Sequence, residues 1–153
     1  MKIIASIFGI GYIRKGGGTV AAAFAVLMWW LLFANINFGS HANNYAVQIL
    51  LTILVTALGI WAGNKVEPDW GKDSYRVVID EVAGMFISIL FVPIDWKWLL
   101  AGFVLFRFFD IAKPLYIRRM EALKGGWGVM FDDVLAGIYA NIVLWIIILL
   151  VNR

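Results

Sequence analysis

"VVIDEVAGMFISILFVP" occupies Val77–Pro93. It is long enough to enter the hydrocarbon core of a membrane, where a helix takes about 20 mostly apolar residues, with a range of about 17–25. Yet it carries two adjacent acids, Asp80 and Glu81, near its start, with Val77, Val78 and Ile79 before them and Val82–Leu90 after. A charged group at membrane depth is costly and normally faces the bundle interior, pairs with a neighbour or serves function. How this stretch reads depends on the bilayer and on which other charges can reach the pair.

The bulk composition settles the first point. Of 153 residues, 63% are hydrophobic and only 15% charged, against about 25% charged in soluble domains. Mean hydropathy is +0.86. A soluble domain of this size could not hide so much apolar surface, so a single membrane-embedded domain over 1–153 is expected. The absence of cysteine excludes disulfides, thiolate metal sites and cysteine nucleophiles. The apolar start Ile3–Tyr12 is short and lacks a small-residue cleavage pattern, so it does not read as a secretory leader.

Spans follow on either side of the opening stretch. Thr19–Phe38 and Tyr45–Gly63 qualify by length and apolarity, and Val134–Val151 is the cleanest of all. Trp96–Asp110 is apolar but shorter, and Arg107 and Asp110 lie in its last turn. The pattern predicts an all-α membrane protein, a bundle of about five membrane helices. The third and fourth form a hairpin around Pro93–Trp96, and Lys2–Ile13 is an N-terminal interfacial or re-entrant helix.

Cytoplasmic flanks carry the excess of Lys and Arg. Arg14 and Lys15 precede the first span, and Lys65, Lys72 and Arg76 follow the second. Arg107 lies in the last turn of the fourth, and Lys113, Arg118, Arg119 and Lys124 follow it. The intervening connections are almost free of basic residues, apart from Lys97 and the far-end Arg153. Connections 14–19, 64–79 and 107–133 are therefore predicted to face the cytoplasm. The acids share that geography: Glu67, Asp69, Asp73, Asp80, Glu81, Asp110, Glu121, Asp132 and Asp133 map to the same side, and only Asp95 to the other. The topology rule does not ask for acids there.

Three acidic positions lie at helix ends on that side: Asp80–Glu81, Asp110 and Asp132–Asp133. In an alternating bundle their five carboxylates can converge, and their mutual repulsion resists joint ionisation unless a cation neutralises them. Hard oxygen donors suit Mg²⁺, which typically takes one or two carboxylates plus substrate phosphate. A plainer reading has Asp132–Asp133 at a helix N-terminus, favourable there by about 0.3–1 kcal/mol. Arg107 and Asp110 are spaced to pair along one helix face, either as a structural ion pair or as a substrate contact. The basic residues after Asp110 also fit as anchors to anionic lipid. "KGGWG" (Lys124–Gly128) and "RKGGGT" (Arg14–Thr19) are glycine-rich turns whose backbone N–H groups can approach an anion. Acids for a metal, cations for phosphate and glycine turns together equip a site for hydrolysis or transfer at a lipid phosphate. The sole histidine, His41, falls in an outer loop, which removes histidine-based phosphatases at the cytoplasmic face.

"FRFFDIAKP" (Phe106–Pro114), "KGGWGVMFDDVLAGIYA" (Lys124–Ala140) and "VVIDEVAGMFI" (Val77–Ile87) closely resemble the sequence blocks of the phosphatidylglycerophosphatase A family, in its order and spacing. By motif, the resemblance picks out Asp80, Glu81 and Gly84, then Arg107, Asp110, Lys113 and Pro114, then Gly125, Gly126, Gly128, Asp132, Asp133 and Gly137. One departure stands near the N-terminus. The family's Pro-Gly-Thr-x-Gly-Ser turn reads "GGTVAA" (Gly17–Ala22) here, keeping Gly18 and Thr19 but not the proline, second glycine or serine.

The resemblance implies an Mg²⁺-dependent enzyme of the bacterial inner membrane that hydrolyses phosphatidylglycerophosphate to phosphatidylglycerol. Its partners are then that lipid and the bilayer, with no nucleic acid. In this reading Asp80, Glu81, Asp132 and Asp133 hold the metal, and Asp110 orients Arg107 or completes the metal site. Arg107, Lys113, Lys124, Thr19, Gly125, Gly126 and Gly128 bind phosphate. The nucleophile is water or an aspartate. Two rivals are a small transporter and a non-catalytic lipid-binding scaffold. Transport predicts ionisable groups through the midplane and repeated halves, whereas here they cluster at one interface.

Overall fold

The computed structural model describes residues 1–36, 38–72, 74–120 and 122–152; Asp73, Glu121 and Arg153, used above in the charge pattern, lie outside the described residues. The described residues form seven α-helices and no strand: α1 (Lys2–Ala5), α2 (Gly17–Asn35), α3 (His41–Trp70), α4 (Ile79–Ser88), α5 (Trp96–Ala112), α6 (Ile117–Met120) and α7 (Gly126–Val151). A 3₁₀ turn covers Ile10–Tyr12. Three helices, α2, α3 and α7, are long and apolar enough to cross a membrane. At 1.5 Å per residue α3 is about 45 Å long, more than a hydrocarbon core of about 30 Å. Its far end, bearing Lys65, Glu67 and Asp69, accordingly extends beyond the apolar stretch.

The sequence suggests five spans, and the difference lies in the α4–α5 hairpin. Helix α4 has ten residues and rises about 15 Å; the apolar run continues to Pro93, but the helix stops at Ser88. A helix end inside an apolar bundle exposes backbone groups that hydrocarbon cannot satisfy. Side chains from the neighbouring helices do so here. Asn141 Nδ2 on α7 donates to the Ser88 and Leu90 carbonyls, both at 3.0 Å. Gln48 on α3, itself buried, accepts the Phe91 N–H at 2.9 Å. The chain then turns through Asp95, whose carboxylate caps α5 by accepting from Lys97 N.

The N-terminal segment also departs from a single re-entrant helix. Helix α1 is one turn long, and Ile7, Phe8 and Gly9 have φ of 43°, 53° and 100°, which a continuous right-handed helix cannot contain. The segment is tied down instead: Val78 N donates to the Ala5 carbonyl at 2.9 Å, and Lys2 pairs with Asp69 at 2.8 Å.

Helix α4 is the hub, packed by α2, α3, α5 and α7. Small residues let these neighbours come close. Ala21, Ala22 and Ala25 of α2 are fully buried, and Trp29 stacks at a tilt on Phe86, with centroids 4.9 Å apart. Against α7 the approach is closer still. A Cβ at Gly84 would sit 2.6 Å from the Asp133 carbonyl oxygen, and one at Gly137 would strike the Gly84 carbonyl.

Asn141→Leu removes the donor that serves two carbonyls at the buried end of α4. We expect it to destabilise the fold by about 1–3 kcal/mol, read as a lower Tm in detergent; an unchanged Tm would show that those carbonyls need no such partner.

Candidate active site

The α4–α7 crossing sets the site. With Gly84 against Gly137, the first turn of α4 and the second turn of α7 lie side by side, which brings Asp80–Glu81 to Asp132–Asp133. Helix α7 begins at Gly126 rather than at the aspartates, so Asp132 and Asp133 are not N-terminal caps. They are 5% and 4% exposed, which makes them interior acids. The last turn of α5 contributes Asp110, 8% exposed, and Arg107. Lys113 closes α5 in the left-handed region, at φ 44°, with Pro114 next in the chain preventing continuation.

These side chains line one polar cavity of about 270 Å³, walled also by Arg14, Gly16–Gly18 and Ser74–Tyr75. Arg107 Nη1 bonds Glu81 Oε2 and pairs with Asp110 Oδ2 at 2.7 Å, so one guanidinium ties α4 to α5. Its Nε is buried with no hydrogen-bond partner among the described residues. Lys113 Nζ lies 2.7 Å from Asp132 Oδ2, tying α5 to α7. Asp80 Oδ1 accepts the Glu81 N–H at 2.9 Å. Glu81, Asp110 and Asp133, one from each of three helices, bring carboxylate oxygens within 4.8 Å of one another.

Five carboxylates thus face Arg107 and Lys113, with Arg14 on the wall, leaving an excess of negative charge in a largely buried space. All the donors are hard oxygens, and three of them converge. That donor set fits a divalent cation of the Mg²⁺ type. The set differs in emphasis from the expected four ligands: Asp110 joins the converging oxygens, whereas Asp132 engages Lys113.

The structure gathers Asp80, Glu81, Arg107, Asp110, Lys113, Asp132 and Asp133 as the motifs suggest. It places Lys124, Gly125, Gly126, Gly128 and Thr19 outside the residues lining the cavity. Lys124 is exposed. The Gly126 N–H is held by Asn64 Oδ1 at 2.8 Å, and a Cβ there would strike the Ile60 carbonyl. The glycines of this turn let α7 start against α3, which is a packing task. The glycine turn that does reach the cavity is Gly16–Gly18, and a Cβ on Gly18 would collide with Glu81 Oε1. Arg14, which the sequence offers as a topology marker at the start of the "RKGGGT" turn, joins the cavity wall, as do Ser74 and Tyr75, to which no role was assigned. The one available signal was the position of Arg14 beside the glycine run.

The phosphatidylglycerophosphatase A family model matches residues 3–148. A Bacteroides thetaiotaomicron protein named "Putative phosphatidylinositol-3-phosphatase" is 44% identical over 152 residues, covering 95% of this chain and 94% of that protein. The phosphatidylglycerophosphatase A proteins of Haemophilus influenzae and Escherichia coli are 37% and 32% identical. They cover 96% and 92% of this chain, and 88% and 78% of their own lengths. No solved structure matches the chain. With nearly its whole length aligned and the acids, arginine and lysine of its motifs drawn into one cavity, the chain belongs to the phosphatidylglycerophosphatase A family.

Proposed function

We propose that the protein hydrolyses the terminal phosphate of phosphatidylglycerophosphate, releasing phosphatidylglycerol and inorganic phosphate. The reaction takes place at the cytoplasmic face of a bacterial inner membrane with Mg²⁺ as cofactor. The observation that carries this reading is the meeting of acids from α4, α5 and α7 with Arg107 and Lys113 in one polar cavity of a membrane-helix bundle. The orientation rests on Arg14, Lys15, Lys65, Arg76, Arg118, Arg119 and Lys124, which lie near the helix ends that form the cavity.

Glu81, Asp110 and Asp133 would hold the metal, with Asp80 and Asp132 beside them. Mg²⁺, when bound, offsets charge on the phosphoryl oxygens and makes a water molecule more acidic. The protein's own groups do the rest. Arg107, fixed by Glu81 and Asp110, presents its guanidinium to the phosphoryl oxygens through charge-assisted bonds. Lys113, held by Asp132, adds a second positive charge where negative charge develops. Asp80, steadied by the Glu81 N–H, accepts the proton of the attacking water. As the water oxygen bonds to phosphorus, the bond from phosphorus to the glycerol oxygen breaks, and the proton passes to that departing oxygen. Gly16–Gly18 keep that wall free of side-chain bulk.

The name of the 44% identical relative favours a second substrate, a phosphatidylinositol phosphate. The two are separated by one assay of phosphate release from each lipid by purified protein in detergent. We expect release from phosphatidylglycerophosphate with Mg²⁺ and none with EDTA. Asp133→Asn should lower kcat by about a hundredfold or more, as removing a group that stabilises the transition state commonly does. Faster release from phosphatidylinositol 3-phosphate would transfer the assignment to that lipid, and full activity in EDTA would end the metal reading.

Gly18→Ala tests the arrangement without touching a charge. The added methyl displaces the Glu81 carboxylate and, through it, Arg107, whose Nη1 would lie 3.4 Å away. A misplacement of that size can cost about a hundredfold. We expect kcat to fall while Tm stays within a few degrees of wild type; wild-type kcat would show that the Glu81–Arg107 geometry is not critical.

A further inference from the structure

Helices α2 and α5 also enclose a second concavity of about 380 Å³, on the bilayer side of the polar cavity. It is lined by Ala23, Val26 and Trp30 of α2 and by Trp96, Leu100 and Phe103 of α5, together with neighbouring leucines. The volume is within the usual range for small-molecule sites, about 300–1,000 Å³. Apolar surface alone says little in a membrane protein; the distinguishing features are the shape and its alignment with the site. On α2, residues four apart share a face, so Gly18 of the polar cavity and Val26 and Trp30 of the groove lie on one side of the helix, with Ala22 buried between them. On α5, Arg107, Phe103, Leu99 or Leu100, and Trp96 form the facing stripe. The groove starts one helical turn, about 6 Å, from Arg107 and runs for about 10 Å along both helices. Its far end is marked by Trp30 and Trp96, both substantially exposed.

We propose that this groove binds a fatty acyl chain of the phospholipid substrate whose terminal phosphate lies at Arg107. The inference rests on the lipid-phosphatase reading above and adds where the lipid lies. The turn between Phe103 and Arg107 spans the glycerol part of the substrate. The small side chain of Ala23 leaves room for the chain in the groove wall. The groove thus holds the lipid in register with the polar site, so hydrophobic burial is converted into positioning of the phosphate.

The test compares dipalmitoyl and dihexanoyl phosphatidylglycerophosphate under matched detergent conditions. Ala23→Trp and Leu100→Trp fill the groove from opposite walls, and neither residue lines the polar cavity. Each should lower kcat/KM for the dipalmitoyl lipid by about tenfold or more, equivalent to losing roughly two buried methylenes. Turnover of the dihexanoyl lipid should change less than about twofold, which also certifies that the variant is folded. Wild type supplies a reading that needs no substitution: kcat/KM should climb with acyl length. A flat profile in the wild type, or loss on neither lipid in folded variants, overturns the groove and leaves the phosphatase reading standing. A wild type that releases phosphate from neither lipid overturns both.

Discussion

The backbone contact between Gly84 and Gly137 is the constraint on which the rest depends. Two helices that meet at glycines can approach until their main chains touch, and a side chain at either position would force them apart. That crossing sets Asp80 and Glu81 one turn from it on α4, and Asp133 one turn from it on α7. The α5 end is then drawn in by ion pairs: Arg107 reaches Glu81 on α4, and Lys113 reaches Asp132 on α7. Packing therefore assembles the acids, and the two cations bind the third helix to the assembly.

Such a concentration of carboxylates opposes folding. Buried like charges repel, and each loses hydration on leaving water. Arg107 and Lys113 offset part of this, but five acids remain against two direct cationic partners. A divalent cation on the converging oxygens of Glu81, Asp110 and Asp133 would offset most of the remainder and couple metal binding to stability. On the proposed reading, the same imbalance gives the site its affinity for a cation and, with Arg107, for a phosphate. The short α4 serves this arrangement. By ending at Ser88 and surrendering its last carbonyls to Asn141, it leaves its acidic first turn at the polar end of the bundle.

Much of this was legible in the chain. Paired acids inside apolar stretches, read with the alternation of basic connections, located Asp80, Glu81, Asp110, Asp132 and Asp133 on one side, and the helix spacing of Arg107 and Asp110 anticipated their ion pair. The end of α4 was not legible, because the apolar run continues past Ser88 and the residues that cap it, Gln48 and Asn141, are 43 and 53 positions away from their partners. The packing of the glycines after Lys124 was not legible for a related reason. A glycine-rich turn has the same composition whether it cradles an anion or admits a neighbouring helix, and only the position of Asn64 and Ile60 decides between them. Ser74 and Tyr75 carried no signal, since a loop residue reaches a cavity through tertiary placement alone.

The proposed chemistry rests on carboxylates from three helices forming one divalent-cation site. Its most direct test is equilibrium Mn²⁺ binding to the purified protein, followed by electron paramagnetic resonance, with Mg²⁺ as competitor. We expect saturable binding that Mg²⁺ displaces, and its loss in Asp110→Asn and in Asp133→Asn despite unchanged helical content. Binding of equal strength in wild type and both variants, or none in the wild type, would contradict it.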